Sequence, residues 1–364
     1  MGMNYYIHVP FCASKCGYCV FYSRSAPAEE LLERYLEKLF SQLVLVKEKA
    51  ETIYIGGGTP TFLDDGRLER LLEKVYQHLV DSRTLEISIE ANPETLTPSK
   101  VALLRRYVTR ISTGVQSFFP ETREILGRKC DEKQLKTALD LIAGAGFPHW
   151  NCDLIYAVPG RTAADWEREF DRLALYPVDH VSCYNLTPEE GAALYGKLVP
   201  EEDISTHLEE ITRERLEALG IRQYEVSNYA GNGCVCRHNV NVWRGGFLTG
   251  LGPSAAGFDG KDRVIEVSSL SRWLAGEKPE IDRISPRKRL NEIFAVNLRT
   301  VEGWTPRYWQ LVPGADDWSR RLECAGRTEK IYPGCFEIAA DRIQLSRKGL
   351  SFWDTIAEEL LDEY

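Results

Sequence analysis

The sequence predicts an α/β fold in which an incomplete (β/α)6 barrel of the TIM type is followed by a smaller α+β domain. Three observations predict it. Six strand-like runs lie between residue 4 and about residue 186. Helical stretches with 3.6-residue apolar periodicity separate them. After residue 200 that alternation stops and helices take over. Repeated βα units imply a parallel sheet, and six of them suit a curved, unclosed relative of the eight-stranded barrel. A flat doubly wound sheet produces the same alternation. In either architecture the functional residues belong at the carboxyl ends of the strands.

The elements follow in order. The strand runs are "YYIHV", "TIYIGG", "LEISIEAN", "RISTGVQS", "WNCDLIYAV" and "HVSCYNL", all rich in β-branched and aromatic residues. Between them, Leu31 to Val46, Leu68 to Leu79, Leu135 to Ala143 and Trp166 to Leu175 carry helical periodicity. These units make residues 1–200 one barrel domain. Residues 201–284 form a linker and covering region: a helix from about Glu201 to Leu219, then "RQYEVSNYA", a Gly- and Cys-rich loop, and "GGFLTGLGPSAAGFDG", a strand broken by turns. Residues 285–364 open with the helical "PRKRLNEIFAVNL". They continue to "CFEIAADRIQLS" and a last helix from about Arg347, an order that resembles a winged helix.

Composition narrows the function. The 364 residues carry a formal charge of -9 and no basic stripe interleaved with aromatics, which argues against nucleic acid as a partner. Apolar runs such as "LVLV" are too short to span a bilayer, and the N-terminus lacks the pattern of a secretory signal. A cytoplasmic protein is expected. Ten cysteines in that reducing setting read as thiols and metal ligands.

Three of those cysteines stand close together in "FCASKCGYC", as Cys12, Cys16 and Cys19. A C-x3-C-x2-C loop after a strand can hold three irons of a [4Fe–4S] cluster and leave the fourth open. A zinc site completed by a distant Cys or His, or three thiols without metal, are the other readings. "GGGTPT" at 56–61 ends the second strand, where missing side chains let the backbone approach a ligand. Glu90 and Gln116 finish the third and fourth strands, facing the same mouth. Cys130, Cys152, Cys183, Cys324 and Cys335 are scattered and read as core or surface thiols, and His8 as a structural residue of the first strand.

Taken in order, "YIHVPFCxxxCxYC", "GGGTPT", "EANPE", "GVQSF", "LGR", "DLIYAVPGRT" and "CRHNxNxWRGG" resemble the radical S-adenosylmethionine (SAM) superfamily. Within it they resemble the oxygen-independent coproporphyrinogen III oxidase family, closest to its haem chaperone (HemW) branch. The resemblance implies a radical SAM barrel with a [4Fe–4S] cluster on Cys12, Cys16 and Cys19. It implies SAM contacts from Tyr6, Gly58, Thr59, Glu90, Gln116, Arg128 and Asp153, with Thr187 as an addition. Phe21 stands where the oxidase branch carries a further cysteine, and only eleven residues precede the cluster loop, both features of the chaperone branch.

The resemblance also makes His238 a haem ligand, within an H-N-x-x-Y motif. Here the tyrosine position is Val242, and where the family reads "GPGAHS" this chain has Ala256 and Gly257 for the histidine and serine. The pair Cys234 and Cys236 can alternatively bind a metal or act as a redox couple. The expected function is binding of SAM and of haem or another tetrapyrrole, for haem delivery, with flavodoxin or ferredoxin as electron donor. The alternative is an enzyme that uses the 5′-deoxyadenosyl radical: a coproporphyrinogen III dehydrogenase performing oxygen-independent decarboxylation, or a diverged methylase.

Overall fold

A computed structural model describes residues 2–25, 27–197 and 202–362. The 200/201 boundary and the expected helix start at Glu201 lie outside the described residues. Six parallel strands, Met3–Val9, Ala50–Gly57, Glu86–Ala91, Arg110–Gln116, His149–Tyr156 and His180–Asn185, pair in chain order. That order separates the two architectures. Right-handed crossovers that all step in one direction put every helix on one face, and the other face lines an interior. A doubly wound sheet reverses direction at a switch point, and none occurs along these six strands.

Alternation along each strand sorts the side chains. Tyr5, Ile7 and Val9, Ile53 and Ile55, Ile87 and Ile89, and Ile111 and Val115 point outward into one apolar core shared with the helices. In the Glu29–Leu45 helix Leu32, Tyr35, Leu36, Leu39 and Leu43 supply the matching stripe. Asp64, Thr97, Asp131 and Thr162 cap the next four crossover helices through their side chains. The opposite parity fills the lumen with polar groups: Asn4, Tyr6 and His8, then Thr52 and Tyr54, then Glu86, Ser88 and Glu90, then Arg110 and Ser112. A barrel interior is ordinarily packed with branched aliphatic side chains, so this lumen is built to hold polar groups.

Among the described residues the sheet has twelve strands. Leu248–Leu251 adds in parallel beside the first strand, followed by antiparallel Ala256–Phe258, Arg263–Ile265 and Glu280–Asp282. Asn228–Ala230 and Arg222–Gln223 extend the sixth strand's edge antiparallel. The stretch after residue 201 thus enlarges the sheet, and "GGFLTGLGPSAAGFDG" forms two paired strands. The expected Gly- and Cys-rich loop contains the helix Arg237–Trp243.

From Leu290 to Leu360 a second apolar cluster gathers around Phe294, Trp304 and Trp309, the two indoles edge-to-face at 5.1 Å. Helices Pro286–Asn297 and Trp318–Ile331 precede the hairpin Phe336–Ala339/Arg342–Leu345, and Trp353–Asp362 closes the order. Among the described residues no helix is long and apolar enough to cross a membrane.

Candidate functional site

The carboxyl ends of the strands carry the three-cysteine loop. Cys12 lies in a two-residue strand paired with Arg24–Ser25, and Cys16 and Cys19 sit in the turn between. The turn is tied down at Gly17, whose N–H donates to Leu126 O (3.0 Å) and whose carbonyl accepts from Leu194 N–H (2.8 Å). A Cβ on Gly17 would come within 2.8 Å of the Leu194 side chain. Two side chains from loops that follow the second and fourth strands reach the sulfurs. Thr59 Oγ1 donates to Cys12 Sγ at 3.6 Å, and Arg128 Nη1 to Cys16 Sγ at 3.3 Å. Arg128 is almost fully buried: Nη2 donates to Gly114 O (2.8 Å) and Asn92 Oδ1 (3.1 Å) and pairs with Glu94 at 3.4 Å. Its Nε is buried without a partner. Asn92 joins the two by donating to Thr59 Oγ1 at 2.7 Å.

The thiols suit a cluster better than a single ion. Tetrahedral zinc draws its thiolates to about 3.8 Å from one another. Cys12, Cys16 and Cys19 do not all lie within 4.8 Å of one another, so they do not converge on one point. A cuboidal cluster takes one thiolate at each of three separate corners, and a spread triad with hydrogen bonds to two sulfurs fits that donor arrangement.

Around this loop the lumen presents two buried carboxyls. Glu90 accepts from Tyr54 Oη (2.9 Å) and Gly57 N–H (3.1 Å), and burial pushes its pKa up to about 7. Asp153 accepts from Asn151 Nδ2 (2.7 Å) and Ser112 Oγ (3.3 Å), and burial likewise raises its pKa. The three glycines have specific tenants. A Cβ at Gly56 would meet the Glu90 carboxylate, at Gly57 (φ +109°) the His8 ring, and at Gly58 the backbone of Phe11. Their absent side chains serve close packing inside the chain, where the sequence suggested ligand approach. Tyr6 Oη contacts His8 Nδ1 (3.0 Å), and His8 Nε2 bonds the Tyr22 carbonyl (2.8 Å). Gln116 ends the fourth strand at a register shift with φ +64°, a left-handed conformation that costs a non-glycine residue energy and is found at functional sites. Thr187 follows the sixth strand, is exposed and makes no hydrogen bond with these groups among the described residues.

His238 lies at the other end of the lumen. The helix Arg237–Trp243 plugs the base, its N-terminus set on Glu86: Arg237 N–H donates at 2.8 Å, His238 N–H at 3.2 Å and the Cys236 thiol at 3.5 Å. Cys236 is therefore committed and fully buried, whereas Cys234 is half-buried and apart from it. His238 Nδ1 bonds Thr52 Oγ1 at 2.8 Å. Thr52 donates its only hydroxyl proton to Asn4 Oδ1 (2.6 Å), so it accepts from His238 Nδ1–H. Nε2 is then the bare nitrogen, and burial lowers the imidazole pKa to about 4, which keeps the ring neutral at pH 7. The ring borders a cavity of about 310 Å³, whose walls include Tyr6, His8, Phe21 and Tyr22 from the cluster end and Val242, Trp243 and Ala256 from the base. The two family departures thus face the same space as His238.

Sequence reasoning missed Thr52, Tyr54, Glu86, Asn92 and Glu94. Asn92 and Glu94 follow Glu90 in the quoted "EANPE". Thr52 and Glu86 stand near strand starts, where their contacts with the plugging helix become visible only in the folded chain.

Residues 6–173 match the radical SAM superfamily profile. The chain is 39% identical to the protein described as heme chaperone HemW of Mycobacterium tuberculosis, with 98% of this chain and 94% of that one covered. It is 34% identical to heme chaperone HemW of Escherichia coli, covering 99% and 98%. Among solved structures it is similar to coproporphyrinogen III oxidase (HemN) of Escherichia coli, with a TM-score of 0.84 over 100% of this chain and 90% of that one. Identity there is 20%, so that likeness speaks for the fold.

Proposed function

The chain belongs to the radical SAM superfamily and, within it, to the HemW family, and from that membership we propose that it is a haem chaperone that binds haem through His238 beside a SAM-bound [4Fe–4S] cluster. The observation that carries the haem assignment is the state of His238. Its Nδ1–H is held by Thr52, its Nε2 lone pair is unprotonated, and the ring borders a cavity that also touches the end of the cluster loop. A hydrogen bond at the far nitrogen is how proteins fix the tautomer of a metal-ligating histidine. Val242 and Ala256 remove the tyrosine and histidine of the family pattern from this wall, so the reading rests on His238 itself.

Cys12, Cys16 and Cys19 would hold the cluster, which when bound supplies electrons and an iron site for SAM. Thr59 and Arg128 support this by placing hydrogen bonds on two of the sulfurs. Tyr6, Gly58, Thr59, Glu90, Gln116, Arg128 and Asp153, with Thr187 at the rim, would form the SAM contact set. Glu90 and Asp153 offer buried acceptors for an ammonium or ribose hydroxyls. The cytosol, with flavodoxin or ferredoxin as reductant, suits such a cluster. An anaerobic haem titration followed by Soret absorption, wild type beside His238→Ala, tests the reading. Saturable equimolar binding lost in the variant is expected; equal weak binding by both overturns it.

A further inference from the structure

Three metal-ligating side chains meet at the base of the barrel, outside both the cluster loop and the cavity of His238. A ring nitrogen of His149, a carboxylate oxygen of Asp179 and the sulfur of Cys234 all lie within 4.8 Å of one another, and each residue is half-buried. His149 opens the fifth strand, Asp179 directly precedes the sixth, and Cys234 belongs to the turn that leads into the Arg237–Trp243 helix. We propose that these residues form a binding site for a divalent ion of zinc's class, distinct from the iron–sulfur centre.

The three groups are held in place by contacts that leave their ligand atoms directed at one another. Asp179 Oδ1 accepts from Trp150 N–H at 2.8 Å, and Oδ2 lies 2.8 Å from His149 Nδ1. The Asp179 carbonyl accepts from Gly231 N–H (2.8 Å), and Cys234 N–H donates to Gly231 O (3.0 Å). The carboxylate, the strand start and the cysteine turn are therefore one hydrogen-bonded unit. A zinc ion with bonds of about 2.0–2.3 Å sets its ligand atoms about 3.3–3.8 Å apart. His149 Nδ1 and Asp179 Oδ2, at 2.8 Å, must therefore open slightly, with Cys234 Sγ, within 4.8 Å of them, brought to bonding distance, all by small side-chain rotations. On binding, the ion takes the position between His149 Nδ1 and Asp179 Oδ2, the neutral imidazole carries its one proton on Nε2, and the Cys234 thiol releases its proton to solvent.

The donor set selects the ion. Calcium and magnesium take oxygen ligands, and imidazole with thiolate suits zinc or a neighbouring late transition ion. Three protein ligands at a half-exposed site leave the fourth position to water. The ion would staple the starts of two barrel strands to the turn that precedes Cys236, Arg237 and His238, the groups seated on Glu86.

The test uses full-length protein with its cluster reconstituted. It is incubated with a small excess of zinc and desalted, and zinc and iron are then counted by elemental analysis for wild type, Cys234→Ser, His149→Gln and Cys16→Ala. About one zinc per chain is expected in the wild type and in Cys16→Ala. Both Cys234→Ser and His149→Gln should lose it while keeping wild-type iron. Zinc should also raise the melting temperature of the wild type and not of Cys234→Ser. No zinc in the wild type, equal zinc in all four proteins, or loss in Cys16→Ala alone would overturn the proposal.

Discussion

Thr52→Val is a near-isosteric change at the opposite end of the lumen from the three-cysteine loop, and it should weaken haem binding by roughly 10- to 100-fold. Thr52 Oγ1 donates to Asn4 Oδ1 at 2.6 Å and receives His238 Nδ1–H at 2.8 Å. Valine removes both bonds, but Asn4 Oδ1 keeps the donor Asn241 Nδ2 at 3.1 Å. One buried group is therefore orphaned, His238 Nδ1–H, at a cost of about 1–3 kcal/mol in stability. The ring relieves that cost by moving its proton to Nε2, the nitrogen that should meet the iron. A 10- to 100-fold loss is about 1.4–2.7 kcal/mol, inside the same range, so the tautomer shift accounts for the effect without any change in cavity shape. Thr52→Ser keeps both bonds and serves as the control. Soret titrations measure affinity, and urea unfolding measures stability. Wild-type haem affinity in Thr52→Val, alongside loss of binding in His238→Ala, would refute the reasoning.

Four further outcomes are expected. Cys16→Ala should lose the cluster's charge-transfer absorption on anaerobic reconstitution, and an unchanged spectrum would remove the loop from the cluster site. Glu169 is buried against Ser117 and Phe118 N–H, and burial pushes its pKa up from 4.5 to about 7. The folded chain therefore retains a proton there that the unfolded chain releases between these values, and stability rises as pH falls through that window. Wild type should gain up to about 3 kcal/mol over Glu169→Gln between pH 8 and pH 5 in urea unfolding, and a constant difference would reject the assignment. Gly57→Ala forces a Cβ to within 2.7 Å of His8 at φ +109° and should cost more than about 2 kcal/mol in thermal or urea melts. Gly144→Ala, on an exposed helix position with nothing within 4 Å, should stabilise by about 0.5–1 kcal/mol in the same melts.

The barrel was legible because its signals are local. Each outward strand face, such as Ile53 with Ile55, alternates at period two, and each crossover helix carries its own stripe. The helix Pro98–Tyr107 was not singled out, although Thr97, capping Lys100 N–H, and a proline at the first position mark its start. The helix Arg237–Trp243 read as loop, since it is short, flanked by glycines and contains two valines. It forms because Glu86, on a distant strand, accepts its first amides.

The sequence by itself determined the βα rhythm, the three-cysteine loop and the polar strand ends at Glu90 and Gln116, all properties of residues close together in the chain. Tertiary structure alone decided the sequential strand order and the approach of Thr59 and Arg128 to the sulfurs. It also decided the tautomer of His238 and the meeting of His149, Asp179 and Cys234. Each of these depends on hydrogen bonds between residues of different strands and loops, and such bonds exist only after the sheet has curved and its lumen has closed around them.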